Sequence, residues 1–235
     1  MLKIWGRLSS INVRKVVWTA QALGLPFERA DAGLTFGIVK TPDYLRHNPN
    51  ALVPLIEDDD QQRQAAPSSE GPLGGQRGHA SAERGGSSSF LLWESNVIVR
   101  YLCAKHSPGN LCPDDLQARF DAERWMDWQQ TTINPAGRNA FIQWFRTPAE
   151  QRNPAVIAES TAAMEPMLAL LDAHLAHQAF MAGGHMTMAD IPLVCEIHRW
   201  WGLPQPRKPW PHLDRWYQGL LVHPASRGVL DIGLA

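Results

Sequence analysis

Three short stretches combine hydroxyls, amides, an acid and a proline at points where strand-like segments give way to helix-like ones or to turns. The first is Ser9-Ser10-Ile11-Asn12-Val13-Arg14-Lys15-Val16. A helix N-terminus presents unpaired N–H groups and a partial positive charge, which stabilise an anion such as a thiolate. A serine hydroxyl aimed at a bound sulfur would donate a hydrogen bond and lower the thiol pKa. The same Ser10 also suits a plain helix N-cap, so the local sequence leaves both roles open. In the second stretch, Val53-Pro54 follows the turn Asn48-Pro49-Asn50 and opens a strand. A cis bond there would leave the backbone N–H and C=O of Val53 free to pair with an extended peptide, like an added strand. A trans edge-strand proline is the ordinary alternative. The third stretch is Trp93-Glu94-Ser95-Asn96. Here the Ser95 hydroxyl and N–H would hold a carboxylate while Glu94 meets an ammonium group. Ser95 again also fits a simple cap, but an unpartnered Glu at a buried helix end is costly, which favours a ligand role.

The elements that position these residues follow from periodicity. Leu2 to Trp5 suits a strand ended by Gly6, and Val13 to Leu23 carries apolar residues at helical spacing, stopped by Gly24 and Pro26. Phe27 to Ala30 and Val53 to Glu57 suit further strands. From 58 to 89 the chain is mostly Asp, Gln, Gly, Ser, Arg and Ala, too poor in large apolar residues to offset its ordering entropy, and is expected to be a disordered insertion. Phe90 to Trp93 resumes as a strand, with a helix over Ser95 to Lys105. Beyond the breaker-rich linker at 107–115 the pattern is helical: Phe120 to Thr132, Ile157 to Leu175, Ala189 to Trp201 and Pro211 to Val222. The expected architecture is an α/β domain over 1–106, of thioredoxin-like order, followed by an all-α domain over 116–235.

Composition narrows the function classes. The chain has 235 residues with Lys+Arg 22 against Asp+Glu 23, a net charge of -1. That balance gives no long-range field for nucleic acid or an anionic membrane. The 3 cysteines, Cys103, Cys112 and Cys195, are too few and scattered for a disulfide framework or zinc site. The 9 histidines show no ligand spacing, so no metal is expected. The Met-Leu-Lys-Ile-Trp start lacks a signal peptide's apolar core, and no segment has transmembrane length, so a cytoplasmic location is expected.

Taken jointly, the order and spacing of these motifs resemble the glutathione S-transferase superfamily, over nearly the whole chain apart from the insertion. Ser10, Arg14 and Val16 match the family's Ser-x-x-x-Arg-x-Val helix opening. Its Asn-Pro-x-x-x-Val-Pro turn stands at Asn48 to Pro54, and its Glu-Ser pair at Glu94-Ser95, before Ile98, Tyr101 and Leu102. The resemblance implies glutathione as co-substrate, no metal and a homodimer. It implies that Ser10 activates the thiolate, with Ser9 and Asn12 as alternatives. It further implies that Val53 pairs with the cysteinyl backbone beside a cis Pro54, and that Glu94 and Ser95 hold the γ-glutamyl end. Thr187 to Asp190 resembles the family's capping box, with Asp190 structural.

One departure stands out: where the family often has a basic or polar residue before Val-Pro to meet the glycyl carboxylate, this chain has Ala51-Leu52. His47, Asn50 or an insertion residue is the expected substitute. Trp128, Thr131 and Arg138 are electrophile-pocket candidates, although aromatic residues at helical spacing are more often core. Conjugation of the thiolate to a small hydrophobic electrophile is the expected reaction. Glutathione-dependent reduction is the second reading, disfavoured because a serine stands where a mixed disulfide needs a cysteine. A non-catalytic binding protein on the same fold is the third.

Overall fold

The computed structural model describes residues 1–59 and 89–234. The N-terminal half is a four-stranded mixed sheet with helices, the thioredoxin-like arrangement. Its strands β1 (Leu2–Trp5), β2 (Phe27–Ala30), β3 (Leu55–Asp58) and β4 (Phe90–Trp93) lie in the order β2-β1-β3-β4. β2 runs parallel to β1, and β3 and β4 follow antiparallel, with Trp5 opposite Leu55 and Leu55 opposite Trp93. Alternation in β1 turns Leu2 and Ile4 into the core.

Helix α1 (Ile11–Ala22) links β1 to β2 and buries an unbroken run from Val13 to Ala20. An amphipathic surface helix would bury one stripe; α1 is covered on several sides, packing against α3 (Ser95–His106) and α7 (Asp190–Trp201). Its end is a Schellman closure: Gly24, at φ +63, donates to the Gln21 carbonyl and Leu25 donates to that of Ala20. The remaining helices are α2 (Pro42–His47), α4 (Leu116–Trp128), α5 (Asn134–Phe145), α6 (Pro154–Leu175) and α8 (Pro211–Leu221). A π-helical turn over Gln129–Ile133 joins α4 to α5.

Several element bounds differ from the sequence expectation. Asp58, counted above with the insertion, closes β3; it is buried and accepts from Lys105 Nζ at 2.8 Å and the Tyr101 hydroxyl at 2.7 Å. The rest of the expected disordered insertion, apart from Asp59 and Ser89, lies outside the described residues. α4 starts earlier than Phe120 because Asp115 caps it, accepting from the Ala118 N–H at 2.8 Å. α2 and α5 were not anticipated. Gly137 in α5 has a packing reason: a Cβ there would lie 3.3 Å from Met164 Sδ on α6 and 3.3 Å from the Trp200 ring on α7.

A buried polar chain crosses between the two halves. The Lys15 ammonium on α1 donates to Asn96 Oδ1 on α3 at 3.1 Å, and to Gln129 and Gln130 in the π-turn at 2.7 and 3.2 Å. Gln129 donates to Glu196 on α7 at 2.7 Å, and Glu196 pairs with Arg199. Burial pushes the fully covered Lys15 ammonium down to about 8. Asp190, fully buried at the start of α7, accepts from Thr187 N, Met181 N and Trp216 Nε1 at 2.9, 3.0 and 2.8 Å.

Candidate active site

The strand-to-helix handover after β1 leaves Ser10 as the N-cap residue of α1, at φ -92 and ψ 121. Its hydroxyl makes no capping hydrogen bond, so the plain-cap role is not realised. Ser9, Ser10 and Asn12 instead line a cleft of about 1040 Å³ between the two halves. Asn12 Oδ1 is buried there without a partner, an unusual state for a buried acceptor and one that a ligand N–H would relieve.

Val53 forms part of the same cleft, and the Val53–Pro54 bond is cis. Among the described residues neither the N–H nor the C=O of Val53 has a hydrogen-bond partner. The preceding residue is pinned: the Leu52 carbonyl accepts from the Tyr44 hydroxyl at 2.6 Å and from Asn48 Nδ2 at 2.9 Å. An open edge on a fixed backbone is what an extended peptide needs in order to pair as an added strand.

Glu94 and Ser95 sit at the junction of β4 and α3. Glu94 is exposed, at φ +74, and Ser95 is the buried first residue of α3. A non-glycine residue in the left-handed region is strained and fits a site held for function. Neither residue is among those lining the cleft, and neither is Pro54, Asn50 or His47. Asn50 folds back, donating through its N–H and Nδ2 to Asn48 Oδ1, and His47 is exposed at the end of α2. Of the electrophile-pocket candidates, Arg138 lines the cleft. Trp128 meets Trp125 edge-on, with ring centroids 5.6 Å apart, and Thr131 donates to the Asp127 carbonyl at 2.9 Å.

The cleft also holds residues that sequence patterning did not single out. Lys40, an exposed residue, is one of them, in a loop whose lack of periodicity gave no signal. Arg7, Arg146, His198 and Cys195 line it as well. Burial pushes His198 down to about 4, so this imidazole is neutral at pH 7. Burial pushes the Cys195 thiol up to about 12, so it stays protonated and is a poor nucleophile.

Residues 9–105 match the family described as "Glutathione S-transferase, N-terminal domain", and residues 154–219 match "Glutathione S-transferase, C-terminal domain". The chain is an enzyme of the glutathione S-transferase family. It is 37% identical over 232 residues to glutathione S-transferase GstB of Escherichia coli strain K12, covering 99% of both chains. It is also similar, at 35% identity and TM-score 0.84, to a theta-class glutathione S-transferase of Xanthomonas axonopodis pv. citri crystallised with glutathione bound, covering 100% of this chain and 99% of that one. Glutathione transferase F7 of Populus trichocarpa shares the fold at 19% identity and TM-score 0.76, each chain covered over 100% of its length. No described helix is long and apolar enough to cross a membrane. No group of three or more His, Cys, Asp or Glu among the described residues is placed to hold a metal ion.

Proposed function

We propose that this chain conjugates glutathione to a small electrophile, with the Ser10 hydroxyl donating a hydrogen bond to the glutathione sulfur as thiolate. The observation that carries this reading is the uncapped Ser10 hydroxyl at the cleft-facing start of α1. There it acts together with the unpaired N–H groups and partial positive charge of the helix end. The serine forms no covalent intermediate. It favours the ionised sulfur, and the cleft brings the second substrate alongside. The cysteinyl backbone pairs with the open N–H and C=O of Val53. The γ-glutamyl end reaches Glu94 and Ser95, and Ser9 and Asn12 flank the sulfur. Lys40 takes the glycyl carboxylate, the role expected of His47, Asn50 or an insertion residue, because it is an exposed cation lining the same cleft as Leu52 and Val53. The glutathione held by the Xanthomonas relative supports a tripeptide site of this kind. Reduction through a protein mixed disulfide has poor support, because the cleft's cysteine, Cys195, is 1% exposed with its thiol proton retained.

A homodimer is the proposed assembly. Phe90, Trp93 and Val97 on β4 and α3, with Leu116 and Phe120 on α4, remain exposed apolar side chains that association would cover. Sedimentation velocity giving a monomer at micromolar concentration contradicts it.

The functional test is steady-state conjugation of 1-chloro-2,4-dinitrobenzene by wild type and Ser10→Ala, with binding of S-methylglutathione measured in parallel. A kcat reduced at least tenfold with binding retained supports the serine's role. Undiminished turnover in the variant moves that role to Ser9 or Asn12.

A further inference from the structure

The charge of the cleft goes beyond what a tripeptide site needs. The chain as a whole carries a net charge of -1, yet among the described residues the cleft is lined by Arg7, Arg14, Lys40, Arg138, Arg146 and Arg199 and by no Asp or Glu. Two of these cations are already committed. Arg14 donates to the carbonyls of Leu8, Val229 and Gly233 at 2.7, 2.8 and 2.7 Å, and Arg199 pairs with Glu196 and with Asn134 Oδ1. Lys40, exposed and lining the same cleft as Val53, is the cation assigned above to the tripeptide.

That leaves three arginines gathered from distant parts of the chain. Arg7 follows β1, Arg138 stands on α5 in the helical half, and Arg146 is the residue that ends that helix; all three line the cleft. Phe141 and Ile142, three and four residues on from Arg138 along α5, line the cleft as well. None of the three guanidinium groups has an ion pair or side-chain hydrogen bond among the described residues, and Arg7 Nε is buried without a partner. Burial and the like charge of Arg146 hold Arg7 below its ordinary range, and the Arg146 guanidinium lies over the Phe141 ring, 5.4 Å from its centroid. A shared anion is the simplest chemistry that relieves such a cluster, since guanidinium groups bind carboxylates through paired N–H donors.

We propose that the second substrate is an anion: an electrophile with an apolar body and a carboxylate, seated by Arg7, Arg138 and Arg146 with the body against Phe141 and Ile142. The proposal rests on the glutathione site described above. For a chloroarene acid the thiolate sulfur forms the C–S bond at the carbon bearing chlorine. The C–Cl bond then breaks and chloride leaves with the bonding pair, the thiol proton having passed to solvent.

The test separates binding from turnover. Calorimetry on protein saturated with S-methylglutathione compares the unreactive probes 3,5-dinitrobenzoate and 1,3-dinitrobenzene. The benzoate is expected to bind at least tenfold more tightly. The double variant Arg138→Gln, Arg146→Gln is expected to abolish that preference, and Arg138→Lys, Arg146→Lys to restore part of it. Equal affinity for the two probes in wild type, or a preference that survives in the glutamine variant, overturns the proposal. Loss of S-methylglutathione binding in that variant also overturns it and assigns the arginines to the tripeptide. Turnover of 4-chloro-3,5-dinitrobenzoate is followed separately. A benzoate preference without turnover keeps the anion site and contradicts the conjugation reading instead.

Discussion

Replacing Asp190 gives a stability change whose size follows from counted hydrogen bonds. The carboxylate is fully buried. Oδ1 accepts from Met181 N and Trp216 Nε1, and Oδ2 accepts from Thr187 N. Asp190→Ala leaves these buried donors without an acceptor, at about 1–3 kcal/mol each, and partial relaxation brings the expected loss to roughly 3–6 kcal/mol. That is a large part of a typical total stability of about 5–15 kcal/mol. Asp190→Asn keeps an oxygen for Met181 and Trp216 but turns an NH₂ towards the Thr187 N–H, so its loss is smaller, about 1–3 kcal/mol. Urea denaturation at one fixed protein concentration reads both changes as shifts in midpoint. A loss below about 1 kcal/mol for Asp190→Ala would refute the reasoning. So would an Asn variant as unstable as the Ala variant, since the two retained bonds would then contribute nothing.

Lys15 gives a prediction in pH. Its folded pKa of about 8 lies below the ordinary 10.5, so the unfolded chain binds the extra proton between those values and stability rises with pH across that window. The wild type should gain up to about 3 kcal/mol relative to Lys15→Met between pH 8 and 10.5, read by urea midpoints; parallel pH profiles would contradict the burial of a charged ammonium. Gly6→Ala should lower the melting temperature by roughly 5–10 °C, because φ is +147 and the new Cβ would fall 2.4 Å from Val13 Cγ2. An unchanged melting temperature would show that the junction of β1 and α1 is looser than described.

What was legible in the sequence was what local pattern determines. The alternation of Leu2 and Ile4, the Gly24 stop after α1 and the Asn48-to-Pro54 turn each specify their structure within a few residues. Ser10 and Val53 were found because each lies at the end of such an element. α2 is six residues long and its sequence has no apolar stripe to betray it. α5 was hidden because the π-helical turn breaks the spacing that runs through α4, and because Gly137 weakens the helical signal until its packing against Met164 and Trp200 is known. The cationic cleft was not legible for a different reason. Arg7 and Arg146 are far apart along the chain, and they come to line one cleft through the packing of the helical half against α1. Likewise Arg14 and Lys15 look like a solvated pair on a helix, yet both are buried, because their partners come from the C-terminal segment, α3 and the π-turn.

The central claim is that the Ser10 hydroxyl stabilises the glutathione thiolate, and the most direct measurement is the thiol pKa of glutathione bound to the protein, titrated by thiolate absorbance in wild type and Ser10→Ala. The account predicts a pKa well below that of free glutathione in wild type, returning towards the free value in the variant. Clear binding of glutathione with an unshifted thiol pKa in wild type would contradict it.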